Sequence, residues 1–403
     1  MAGDRLTKIR IQGLRSLDDV TLELDGLTVL IGENGSGKST ILEAFELLRK
    51  ASQRNFLQEV TSIHGGIGAL LRLGSAQLTF CVDADGDGGP LRYELTVARD
   101  RAWAVILRET LDVGPLLGQV EPLHAIRRTA QRVEIFDQAQ GKLVDGPVSS
   151  DETTLSLLSA WPNQRAIQRM SQLLSSIDVQ LPAETRPLWV CRERKWASPL
   201  RESSMIQPAP RLARLGDNLA NCFHALKNEY SSDHWTETME LVRLGLGNDI
   251  RNVNTISGGA GGAISLALEV RGSPGPITST ALSDGQLAYL AFVAFSRLDT
   301  PRSLVGFDEP ELHLHPALLM RVLAGLESMA EKVPVVLATH SDRLLDALQH
   351  PERSVVLCTL DQERRTELRR PDAAKLASWL ARYRGLGELR AEGYADLVMK
   401  EPS

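Results

Sequence analysis

Aromatic residues are scarce in this chain, 5% of 403, so a core has to be built from Leu, Val, Ile and Ala. Cysteine is scarcer still. Cys81, Cys191, Cys222 and Cys358 lie far apart, and without a C-x-x-C pair no zinc site of clustered thiolates is signalled. A long chain with scattered cysteines reads as reduced and cytoplasmic. Long apolar runs are missing as well. The most apolar stretch, 287–295, falls far short of the roughly 20 residues a membrane helix needs, so no membrane partner is expected. Residues 8–14 alternate charged and apolar side chains like a strand, not like a secretory leader. No heptad run is sustained, which excludes long coiled-coil arms, and there is no internal repeat. Nor is there a surplus of positive charge. The net charge is −6 and the pI about 5.8, so any contact with nucleic acid must be a local patch. What remains, 43% hydrophobic and 24% charged residues, is the balance of an ordinary globular protein, long enough for two to three domains.

Residues 6–31 read as strands. Ile9, Ile11 and Leu14 form one apolar set, Val20, Leu22 and Leu24 alternate with polar partners, and Asp25-Gly26 signals a tight turn. Residues 27–31 are continuously apolar, as in a strand buried on both faces. A glycine-rich loop follows, then a helix with Ile41, Leu42, Phe45 and Leu48 on one face. Over 68–110, Leu78, Phe80 and Val82 alternate, 85–89 make a loop, and Tyr93, Leu95 and Val97 alternate again, the pattern of a β-meander. Residues 150–250 are mainly helical in pattern, interrupted by a proline-containing stretch at 182–210. S-G-G-A-G-G at 257–262 is a turn before a strand at 264–270. Residues 282–345 alternate helix and strand, which means a parallel α/β unit.

Four motifs carry chemistry. Residues 32–39 read G-E-N-G-S-G-K-S, a full phosphate loop set between a strand and a helix. Its backbone amides turn inward on a β-phosphate and the helix start adds its dipole. Lys38 brings a point charge to the β- and γ-phosphates, and Ser39 offers a hydroxyl to Mg²⁺. The candidate nucleotide contacts are Gly32, Asn34, Gly35, Ser36, Gly37, Lys38, Ser39 and Thr40. Residues 303–310 read S-L-V-G-F-D-E-P, an apolar strand ending in two acids. Asp308 is placed to hold Mg²⁺, and Glu309 to polarise an attacking water as general base. Residues 282–286 read L-S-D-G-Q before an apolar helix. Ser283 and the Gly285 amide there make an anion site, although a serine N-cap would read the same way. Its place about 20 residues before the acidic strand end favours the anion site. The strand 335–337 runs into A-T-H-S, which puts His340 at a strand end within reach of a γ-phosphate.

This order resembles the ABC ATPase superfamily. The opening I-R-I-Q-G-L-R-S-L-D-D-V (9–20) resembles its RecF/SMC-like branch. The run D-E-P-E-L-H-L-H-P (308–316) and the tail W-L-A-R-Y-R-G-L-G-E-L (379–389) resemble ATPases related to the OLD (overcoming lysogenization defect) family. The resemblance implies an α/β fold, an ABC-type P-loop head with a β-meander lobe and a mainly helical insertion. Residues 1–110 would form the first part of the head, 111–262 the insertion and 263–403 the rest. It further implies ATP and Mg²⁺ as ligands, ATP hydrolysis, and a homodimer in which Ser283 and Gly285 contact the γ-phosphate of a nucleotide held by the partner subunit. Asp284 departs from the commoner L-S-G-G-Q. Arg15, after the first strand, would touch the nucleotide. The glutamine loop stays open between Gln53, Gln58 and Gln77.

Other clusters read as structure first. His313 and His315, with Glu311 nearby, suit packing and a helix start better than a metal. Arg186, Arg192, Arg194, Lys195 and Arg201 with Trp189 and Trp196 could bind phosphates and bases, or form a half-buried irregular segment. Arg364, Arg365, Arg369 and Arg370 read as a solvated face. OLD nucleases carry a metal-binding domain after the ATPase. The 63 residues beyond His340 hold no D-x-D, so no nuclease is expected in this chain. The expected partner is a separately encoded effector protein such as a nuclease, as in anti-phage systems, with RecF-like DNA binding as the alternative.

Overall fold

The computed structural model describes residues 3–101, 103–114, 122–138, 140–186, 198–258, 262–380 and 385–399. The chain divides into two compact units. One comprises 1–179, 302–306 and 329–403, the other 180–301 and 307–328.

The first unit contains two sheets. The larger is fully antiparallel, in the order Leu17–Glu23, Arg5–Leu14, Gln77–Asp85, Leu91–Asp100, Trp103–Val113, Leu123–Thr129, Val133–Asp137, Lys142–Asp145. Its alternation decides its faces. Ile9, Ile11, Val20, Leu22, Phe80, Val82, Tyr93 and Leu95 point inward and are buried, while Lys8, Arg10, Thr21 and Glu23 point to solvent. Cross-strand ion pairs such as Arg10–Asp19 line that outer face. The meander runs past residue 110: three strands between 123 and 145 extend it before the chain turns helical at Thr154–Leu158 and Arg165–Ser175.

The second sheet carries the nucleotide motifs. Its order is Ile177–Gln180, Leu304–Asp308, Val335–Thr339, Leu27–Gly32, Val355–Leu360, Thr366–Arg369. Leu27–Gly32 lies between two parallel neighbours, Val335–Thr339 and Val355–Leu360, which explains its unbroken apolar sequence. The helix Lys38–Ala51 buries Ile41, Leu42, Phe45 and Leu48. These side chains, the inner face of the meander and the central strands make one continuous core.

The other unit is a small sheet with helices. Ile250–Gly258 and Ala263–Val270 form an antiparallel pair, flanked by the short strands Ser204–Met205 and Ile277–Thr278. Leu219–Asn228 and Ser232–Leu246 pack against the helix Asp284–Arg297. That helix buries Leu287, Tyr289, Leu290, Val293 and Phe295. The Tyr289 hydroxyl donates to the Leu241 carbonyl at 2.8 Å, so even its one buried phenol is satisfied. No helix among the described residues is long and apolar enough to cross a membrane.

Candidate functional site: a phosphate loop and a signature turn

The phosphate loop is preformed. Lys38 is 4% exposed, and its ammonium donates to the carbonyls of Gly32 and Glu33, each at 3.0 Å. The Ser36 amide closes the turn on the Glu33 carbonyl at 3.2 Å. Gly37 stands at φ 102° as N-cap of the helix Lys38–Ala51. A Cβ there would lie 2.3 Å from Thr366 Oγ1, so both conformation and space demand glycine. The first turn has no acidic residue, so the positive end of the helix dipole meets no competing carboxylate from that turn. Ser36 Oγ is buried with no protein partner, an unspent donor inside the loop. The loop fits a nucleotide phosphate.

Strand register sets His340. Thr339 pairs with Ile31, one residue before the loop begins at Gly32. His340 therefore follows the strand end beside the loop's first residue. Two residues absent from the sequence reading support this region. Thr366 Oγ1 donates to the Ser36 carbonyl at 2.9 Å and also bonds Ser16 Oγ. Arg390 Nη1 donates to Asp342, just past His340, at 2.5 Å, and its other terminal nitrogen lies 3.8 Å from Glu33. Cys358 sits in the strand beside Gly32. Burial pushes its thiol up to about 12, so it stays protonated and unreactive. Arg15, at φ 49°, engages Glu43 on the phosphate-loop helix at 2.9 Å. Of the glutamine candidates, Gln53 follows that helix, Gln58 lies within Phe56–His64, and Gln77 opens a meander strand.

In the second unit, Ser283 caps the helix Asp284–Arg297 in a reciprocal capping box with Gln286. Gly285 is a close approach: a Cβ there would meet the His313 carbonyl at 2.8 Å. The signature turn and the tail of the acidic run are thus neighbours. Within that run Glu309 has φ 46° and His313 φ 67°. Such backbone costs about 1–3 kcal/mol per residue and concentrates at functional sites. His315 Nδ1 accepts the Ala317 amide at 3.3 Å, starting the helix Pro316–Ala330. Among the described residues no group of three His, Cys, Asp or Glu could hold a metal.

The sequence-derived residues are therefore shared between the units. The phosphate loop, Arg15 and His340 are in the first, and Ser283, Gly285, Asp308 and Glu309 are in the second. Of the basic segment, Trp189, Arg192, Arg194, Lys195 and Trp196 lie outside the described residues. Arg186 is paired with Glu184. Arg201 is no surface cation: it is 3% exposed and bonded to the signature turn. In the late arginine group, Arg365 pairs with Asp18 and Arg370 donates to the Arg353 carbonyl.

A central strand between two parallel neighbours, feeding a phosphate loop at the start of a helix, has the fold of a P-loop ATPase head. Residues 27–346 match the family described as "AAA domain, putative AbiEii toxin, Type IV TA system", and the chain belongs to that family. Among solved structures, an Smc head bound to the C-winged helix domain of ScpA is similar at TM-score 0.54 and 14% identity, over 90% of this chain and 96% of that one. An Smc head with an extended coiled coil, bound to the C-terminal domain of ScpA from Pyrococcus furiosus, is similar at TM-score 0.55 and 12% identity, over 94% of this chain and 99% of that one. At such identities the likeness establishes the fold.

Proposed function

We propose that this protein binds and hydrolyses Mg-ATP between two copies of itself, arranged head-to-tail, and uses the cycle to control a separately encoded effector protein in prokaryotic anti-phage defence. The observation that carries the ATPase reading is the preformed phosphate loop, with its buried Lys38 and a first helical turn free of acidic residues. Gly32, Asn34, Gly35, Ser36, Gly37 and Thr40 wrap the phosphates, and Lys38 neutralises the β- and γ-oxygens. Ser39 and Asp308 would hold Mg²⁺, which would neutralise phosphate charge. Glu309 accepts the proton of a water that attacks the γ-phosphorus; the bond to the β,γ-bridging oxygen breaks and ADP leaves. His340 hydrogen-bonds the γ-phosphate, Arg15 adds a peripheral contact, and the other copy closes the site with Ser283 and the Gly285 amide. A family described by a Type IV TA system, and structurally similar Smc heads bound to ScpA domains, both favour a separate protein partner.

The test is turnover in two variants. Glu309→Gln keeps ATP binding and slows hydrolysis by roughly 10²–10⁴, and Lys38→Ala loses binding. Wild-type turnover by Glu309→Gln would remove Glu309 from the role of base.

A further inference from the structure

The signature turn of this chain carries an acid, Asp284, at the start of a helix that the composite-site reading aims at a γ-phosphate. A carboxylate there opposes a polyanion unless its charge is cancelled. Arg201 cancels it. Its Nη2 donates to Asp284 Oδ1 at 2.6 Å. The same guanidinium holds the backbone leading into the helix: Nη1 donates to the carbonyls of Leu282 at 2.6 Å, Ser279 at 3.1 Å and Thr280 at 3.4 Å, and Nε to Thr185 at 2.8 Å. In return the Ser279 hydroxyl donates to the Arg201 carbonyl at 3.2 Å. Arg201 is 3% exposed, whereas the Asp284 side chain is 35% exposed. The cation is thus locked beneath the turn and the acid is its visible edge.

We propose that Arg201 is a positioning residue for the signature turn: it fixes the backbone that presents Ser283 and the Gly285 amide, and it supplies the counter-charge that lets Asp284 stand beside a phosphate. A guanidinium suits this task and an ammonium does not. Five rigid donors are needed to serve four carbonyls and a carboxylate at once. The inference rests on the composite-site reading for its functional half only; the holding of the turn stands on geometry alone.

The experiment therefore has two arms, both on the full chain carrying Glu309→Gln. Arg201→Lys keeps the charge and loses the fork; Asp284→Asn keeps an acceptor for Arg201 and removes the acid that it offsets, and serves if the first folds poorly. Hydrogen–deuterium exchange of the peptide 279–290 should rise about tenfold or more in Arg201→Lys, with the remaining peptides unchanged. In Arg201→Lys the ATP concentration that drives mass gain in light scattering should rise about tenfold or more, and in Asp284→Asn, which removes the opposing charge and leaves Arg201 in place, it should not rise, while a fluorescent ATP analogue still binds the phosphate loop of both as in the parent. Unchanged exchange in 279–290 overturns the role of Arg201. A parent that never gains mass with Mg-ATP overturns the composite site instead, and the exchange arm still decides Arg201.

Discussion

Single residues in this protein are constrained by backbone as much as by chemistry. Gly37 shows this best. Its φ of 102° and the 2.3 Å approach of Thr366 Oγ1 to an added Cβ leave alanine no relaxed position. Left-handed backbone alone costs a non-glycine residue about 1–3 kcal/mol, and Thr366 must also release the Ser36 carbonyl. Gly37→Ala should therefore weaken ATP binding by about tenfold or more and lower the melting temperature. Calorimetric titration and a thermal melt check both, and an alanine variant indistinguishable from wild type would show that the loop adapts freely. Glu309 presents the opposite case, a non-glycine residue held at φ 46° where the proposed chemistry needs a carboxylate.

At the scale of an element, the signature helix has two duties that mutation can separate. Ser283 caps the helix, and a Ser→Ala cap substitution costs about 1 kcal/mol. Asp is as good a cap as Ser, but it carries a negative charge to the helix start. Ser283→Ala should thus lower stability. Ser283→Asp should keep it, yet abolish ATP-driven mass gain in the Glu309→Gln background, because in the proposed dimer the new charge would face the γ-phosphate. If Ser283→Asp still gains mass with ATP, Ser283 is a cap and nothing more. The meander strands obey a plainer rule. Strict alternation buries Ile9, Ile11 and Phe80 and leaves Lys8 and Arg10 outside, so one slip in register would invert the core.

For the whole molecule, the net charge of −6 bears on the partner. Non-specific DNA binding comes mostly from Lys and Arg neutralising phosphates, and the outer meander face pairs its cations with acids. A protein effector is therefore expected. A pulldown with the adjacent operon product should succeed at moderate salt and survive nuclease treatment. Should the pulldown recover no protein, while DNA binds tightly, stimulates ATP hydrolysis and is lost with salt and with Arg192/Arg194→Glu, the RecF-like reading replaces this one.

The linear motifs were legible because each is a short stretch of backbone with its own geometry. Strand, glycine turn and helix make the phosphate loop; an apolar strand runs into Asp308 and Glu309; a cap residue opens the signature helix. Apolar alternation likewise marked the meander as far as residue 110, but not its continuation through Leu123–Thr129 and beyond, where charged residues dilute the pattern. What no local pattern reveals is which distant side chain holds each motif in place. Thr366 reaches Ser36 across 330 residues of sequence and Arg201 reaches Asp284 across 83. Arg201 stood in a run of basic residues that could form a half-buried irregular segment or bind phosphates and bases. Only folding decided that its guanidinium would be buried, since a cation leaves water only where enough acceptors converge on it, and that convergence is a property of packing.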